Sequence, residues 1–282
     1  MSVIEELLQG AIDTHIHHGP DIKMERRVDA LQAARQAQEV GMRAIVLKNH
    51  AYPTASLAYI LNLVVPDIAV FGSITLDFEA GGLNTYALEA SARLGAKIVW
   101  MPTVSSANDM KRRNPPEEGT DILNEDGNLL PVVDEILDIV KNYGMVLATG
   151  HISAPESFAL VDAAVKKDVG KIVVTHPLME WFGACLSLEE QGQMVEKGAF
   201  LEHTFVPVLP LSERLDPMKI VESVKSVGAE HCILSTDLGQ NFNLAPAEGM
   251  RMMIATMLRC GLTEEEIELM VKVNPARLLG LD

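Results

Sequence analysis

Eight stretches of the chain read as short apolar strands, and they recur at a nearly constant interval. They are Ala11–His17, Arg43–His50, Ala69–Asp77, Lys97–Thr103, Met145–His151, Lys171–His176, Ala199–Phe205 and His231–Asp237. Most are continuous runs rich in Val, Ile and Leu, as parallel strands covered on both faces require. Helical patterns lie between them: Val28–Val40, Leu83–Leu94, Val132–Asn142, Pro155–Lys167 and Leu188–Lys197. Several end in a glycine one residue later (Gly41, Gly95, Gly198), the left-handed stop of a helix. Successive strand starts lie 26 to 32 residues apart, with one interval of 48; about 30 residues is the size of a βα crossover. Eight such units predict an α/β chain folded as a (β/α)8 TIM barrel. The rival, a doubly wound open sheet, lacks a Gly-rich phosphate loop after the first strand. No Pro/Gly/Ser-rich linker or change of composition marks a boundary, so residues 1–282 are expected to form a single domain.

The histidines sharpen this reading. His15, His17, His50, His151 and His176 close their predicted strands; His18 follows directly, and His203 lies near the end of the seventh. Asp237 stands at the same level on the eighth. These are the carboxyl ends, where barrel active sites are built. His15 and His17, two residues apart on one strand, send both rings from the same face and can grip one metal ion. Each residue alone has a plainer explanation. A histidine in an apolar run is commonly a packed core residue, Asp237 alone reads as a helix N-cap, and His18 as a loop residue. Lys48 and His50 share parity on the second strand. Lys48 is open to three readings, a cation for an anionic substrate (preferred), a carboxylated metal bridge or a snorkelling surface lysine. Glu202 and His203 point to opposite faces, so at most one reaches the site.

The long interval places extra chain at 104–131, on the catalytic face of a barrel. It is either a lid-like insertion or a surface excursion, and it holds the basic run Lys111-Arg112-Arg113. A net charge of −16 argues against nucleic acid and against anionic membrane surfaces as partners, since both need clustered cations. The N-terminus lacks the basic start of a signal peptide, and no apolar run approaches membrane-spanning length. Three widely spaced cysteines without a CxxC fit reduced thiols, hence a cytoplasmic protein. A homo-oligomer is compatible with the Met-rich segment Met250–Met257, though a core role is commoner for such a segment.

The combination of His15-x-His17, His151, His176 and Asp237 on successive strands resembles the amidohydrolase superfamily of metal-dependent hydrolases. The ending Asn274-Pro275-Ala276-Arg277-Leu278-Leu279-Gly280-Leu281 is similar to that superfamily's C-terminal helix signature. More narrowly, Asp13–Asp21 with Ala44–His50 resembles an uncharacterised amidohydrolase-like family of unknown function. The resemblance implies a barrel with a C-terminal helical extension and a divalent metal, zinc by expectation, bound by His15, His17, His151, His176 and Asp237. Two-metal members carry a bridging carboxylated Lys or a Glu on strand four. Here that strand reads Lys97-Ile98-Val99-Trp100-Met101-Pro102-Thr103, so one ion is expected rather than two. The implied reaction is attack of a metal-activated water on an amide, ester or lactone bond of a small, anionic substrate. Asp237, His176 and Lys48 are the catalytic candidates, and Arg26, Arg27, His50 and Arg112 the substrate-binding ones. Three alternatives stay open: a lyase, decarboxylase or isomerase on the same ligands; a non-catalytic metal-containing binder of small molecules; and a histidinol-phosphatase-like barrel, against which eight units and the C-terminal signature weigh.

Overall fold

A computed structural model describes residues 2–281. Its strands are β1 (Ile12–His17), β2 (Ala44–Lys48), β3 in two runs (Ala69–Phe71 and Ser73–Thr75), β4 (Ile98–Trp100), β5 (Val146–Ala148), β6 (Ile172–Thr175), β7 (Phe200–Thr204) and β8 (Cys232–Ser235). All pairings between them are parallel. The segment after β8 returns to β1: Asp237 N donates to His15 O at 2.8 Å and His17 N to Leu238 O at 2.7 Å. The ring closes as the expected (β/α)8 barrel, with each strand inside its predicted apolar run.

β3 breaks at Gly72 for a steric reason. A Cβ there would stand 2.3 Å from Ala55 Cα, at the start of the helix Ala55–Val64, so only glycine lets that helix approach. Side-chain hydroxyls replace the ladder across the break. Thr54 Oγ1 and Ser73 Oγ both donate to Leu47 O, at 2.7 and 2.6 Å, and Thr75 Oγ1 donates to Asn49 O at 3.0 Å. The carbonyls at the end of β2 are thereby satisfied.

Alternate strand residues feed two apolar layers. Ile12, Ala44, Val46, Ile98, Trp100, Val146, Ala148, Val173 and Ile233 fill the lumen. Their neighbours Ile45, Leu47, Val99, Leu147, Val174, Leu201 and Leu234 pack with the surrounding helices. Burial on both faces explains why the strands read as unbroken apolar runs. The helix Asn274–Leu279 closes the amino-terminal end of the barrel, with Ala276, Leu278 and Leu279 joining the lumen cluster. Asn274 Nδ2 donates to Ala229 O at 2.8 Å and Cys232 O at 2.7 Å, tying this extension to the entry of β8. In the helix Pro246–Arg259, Met250, Met253 and Met257 are buried and Met252 is half-exposed, so three of these methionines are core. Among the described residues no helix is long and apolar enough to cross a membrane.

Candidate metal centre and cavity

The orientation of the His-x-His pair depends on an irregularity in β1. Asp13 pairs with Ile45 and Ile16 with Leu47, so β1 holds one residue more than β2 over that interval, a β-bulge. Below it Ile12 faces the lumen, and Thr14 Oγ1 reaches lumenal Glu202 Oε1 at 3.5 Å. Strict alternation from there would turn Ile16 inward and both histidines out. The extra residue shifts the phase: Ile16 joins the outer layer, and His15 and His17 face in. Asp13 holds the irregular stretch to the end of β8. Its Oδ1 accepts from His15 N (3.2 Å) and Thr236 N (3.0 Å), and its Oδ2 from Thr236 Oγ1 (2.6 Å). Burial pushes the Asp13 carboxyl up to about 7 against those hydrogen bonds.

Asp237 follows β8 with a positive φ of 55°, a strained conformation of the kind found at functional positions. That turn brings its Oδ1 to 3.1 Å from His15 Nε2 and 3.0 Å from His17 Nε2. The three donor atoms lie within 4.8 Å of one another, all on buried residues. The electrostatics agree with the geometry. Burial resists ionisation of Asp237, yet the two imidazoles hold it well below the usual carboxylate range. Burial is the largest influence on His15 and opposes its charge, as Lys48 does, but the Asp237 and Glu202 carboxylates together leave that ring's pKa raised. His17 is held well below the ordinary histidine value by burial and by Arg26. Two imidazole nitrogens converging on one carboxylate oxygen, all on buried residues, are a donor set suited to a divalent metal.

Three further groups surround these donors. Lys48 Nζ lies 2.9 Å from His15 Nε2 and 4.9 Å from the centre of the Trp100 ring; burial lowers its pKa while Asp237 and Glu202 resist. Glu202 Oε1 stands 3.3 Å from His15 Nδ1 and accepts from Ser235 Oγ at 2.8 Å. His50 Nδ1 meets Thr103 Oγ1 at 2.8 Å and Asp77 Oδ2 at 3.1 Å. The Thr103 hydroxyl already donates to that carboxylate, so the ring proton sits on Nδ1 of His50 and its Nε2 is an acceptor. Burial lowers His50 to about 4, which keeps it neutral. A cavity of about 120 Å³ opens over the donors. Its polar wall includes Arg26, His151, His176 and Gln240; its apolar wall is Met24, Val104, Met179, Phe182 and Val206.

The structure gathers most of the sequence-predicted residues and sets two aside. His15, His17 and Asp237 form the donor group. His17, Lys48, His50, Arg26, His151, His176 and Asp237 line the cavity. His151 and His176, ring centres 4.9 Å apart, belong to its wall and not to the three-atom group. Arg27 lies outside, its guanidinium exposed and reaching Asn241 O at 3.5 Å. Arg112 also lies outside, because its guanidinium is spent on Glu180 O (3.2 Å) and Gly183 O (3.3 Å). Arg26 reaches the cavity already paired, its Nη2 2.7 Å from Asp21 Oδ2. Glu202 faces in and His203 out, to Ser223 Oγ at 3.1 Å. Asp77 and Asp109, which hold the far nitrogens of His50 and His151, had no role in the sequence reading. Asp77 ends a predicted apolar run, so extending the rim census from histidines to carboxylates would have found it. Asp109 lies inside the insertion, where nothing singles it out.

Comparison with solved structures gives the same architecture. The probable dipeptidase PvdM from Pseudomonas aeruginosa shares 13% identity over 98% of this chain and 96% of that one, with a TM-score of 0.71. An amidohydrolase from Pseudomonas aeruginosa shares 15% identity over 99% and 98%, with a TM-score of 0.66. 2,6-Dihydroxybenzoate decarboxylase, solved with 2,6-dihydroxybenzoate, shares 11% identity over 96% and 99%, with a TM-score of 0.62. The chain shares the barrel fold of these structures. No curated protein matches it in sequence. Residues 10–202 match a family model, and the chain belongs to that family of unknown function, DUF6282.

Proposed function

We propose that the protein is a metal-dependent hydrolase that opens an amide, ester or lactone bond in a small anionic substrate. The observation that carries this reading is the meeting of His15 Nε2 and His17 Nε2 on one oxygen of Asp237, beneath a cavity that also holds Lys48 and Arg26. His15, His17 and Asp237 would hold the ion, zinc by preference, with His151 and His176 beside it. A bound divalent ion supplies Lewis acidity and brings the pKa of a water from 15.7 toward ~7. Asp237 takes the proton of the attacking water and returns it to the leaving group. His176, kept neutral chiefly by burial and then by His151, hydrogen-bonds the scissile carbonyl oxygen. Lys48 and Arg26 pair with the anionic group of the substrate, and Met24, Met179 and Phe182 exclude water from its apolar part. One ion is favoured over two because the lumenal side chain of β4 next to His15 is the Trp100 indole, 5.3 Å from it, and not a bridging carboxylate. Cysteines 185, 232 and 260 are all free thiols, which suits a reducing, cytoplasmic setting.

A decarboxylase is the second reading, favoured by the same fold in 2,6-dihydroxybenzoate decarboxylase. The test has two arms. Protein purified without chelators should contain about one zinc per chain by elemental analysis. Asp237→Ala should lose most of it, and unchanged metal in that variant would overturn the site. A panel of dipeptides, lactones and carboxylated aromatics, with products identified, separates hydrolysis from loss of CO2. On the substrate found, Asp237→Asn is expected to cut kcat by on the order of 10²–10⁴-fold.

A further inference from the structure

The insertion after β4 carries one turn of helix, Ala107–Met110, capped by Ser106, and this turn is bonded to the cavity wall. Ser106 Oγ and Asn108 Nδ2 donate to His151 O at 3.1 and 2.9 Å. Asp109 Oδ2 lies 2.5 Å from His151 Nδ1, and Asp109 Oδ1 accepts from Gly183 N at 3.2 Å. Asn108 Nδ2 and Arg112 Nη2 close on Gly183 O at 2.8 and 3.3 Å. Gly183 in turn sits on His176: with φ of +77°, a Cβ there would be 3.0 Å from His176 Cε1. The neighbouring Phe182 ring lies 5.6 Å from that of His151.

We propose that Asp109 is a positioning residue that fixes the His151 tautomer, and that the first part of the insertion is a brace for His151 and His176. A carboxylate only accepts. The proton shared with Asp109 therefore belongs to Nδ1 of His151, and in the neutral ring it is Nε2 that carries the lone pair. Asp109 is buried, so water does not compete for the contact. The same arrangement, a carboxylate on the far nitrogen, orients metal-ligating and catalytic histidines in general. What His151 does with that lone pair rests on the hydrolase reading; its tautomer does not, and is read without metal or substrate.

The test is ¹⁵N NMR of the histidine-labelled full chain in its metal-free form, with His151 assigned from the resonances lost in His151→Gln. Wild type should show His151 protonated on Nδ1. In Asp109→Asn, which has the same shape, Gly183 N–H retains the side-chain oxygen and the new amide group donates to His151 Nδ1. The proton should then move to Nε2, and the two nitrogen resonances should exchange places. Asn108→Ala, which loosens the brace but leaves the carboxylate, should keep the wild-type tautomer. A wild-type His151 protonated on Nε2, or Asp109→Asn with the tautomer unchanged, would overturn the proposal. Failure of the hydrolase reading would instead appear as no metal or no turnover, with the tautomers as stated.

Discussion

At the residue scale, the role open to each histidine follows from what holds its far nitrogen. Asp77 and Thr103 leave His50 a neutral acceptor, Asp109 holds Nδ1 of His151, and Glu202 stands behind His15. His203 turns to Ser223 in the outer layer, and burial lowers it to about 4. A histidine neutral when folded binds fewer protons than the unfolded chain between about pH 4 and 6.5. Its contribution is present above pH 6.5 and is lost as pH falls toward 4, amounting to about 3 kcal/mol in full. His203→Gln should therefore lose about 2 kcal/mol less stability than wild type between pH 7 and pH 4.5, measured by reversible urea unfolding; parallel pH curves would refute the assignment. The rim histidines were legible because strand ends are visible in the sequence. Their carboxylate partners were not: 27 residues separate His50 from Asp77 and 42 separate His151 from Asp109, and only the closed ring brings them together.

At the element scale, all eight apolar runs contain strands, but β-structure stops short of the rim. β2 ends at Lys48, β5 at Ala148 and β8 at Ser235, so His50, His151 and Asp237 stand in loops where the backbone is free to turn. Apolarity marks burial and not hydrogen-bonded pairing, which is why the runs overshoot. Nor does composition reveal the break at Gly72, since the helix it admits comes earlier in the chain. The ending Asn274–Leu281 has a concrete task, because Asn274 satisfies two buried carbonyls at the entry of β8. Asn274→Ala removes both of these bonds, at a cost of about 1–3 kcal/mol. The expected drop in Tm is roughly 2–9 °C in a thermal melt, while metal content stays at the wild-type level.

At the scale of the whole molecule, the barrel has two ends with different work. The amino-terminal end is closed by an apolar plug of Leu278 and Leu279 beneath Ile98, Val146 and Ile233; the carboxyl-terminal end holds the charged and imidazole groups. Leu279→Ala should cost about 2–5 kcal/mol, as buried leucine truncations do, with unchanged metal stoichiometry; loss of metal would mean that the two ends are coupled. The arrangement lets packing at one pole absorb the expense of desolvating ionisable groups at the other. The single supernumerary residue in β1 separates these two regimes within one strand. Without Thr14 the strand would alternate strictly, with Ile12, His15 and His17 all still lumenal and Ile16 outside. The extra residue therefore adds to the lumen the hydroxyl that reaches Glu202 and leaves both imidazoles on their face.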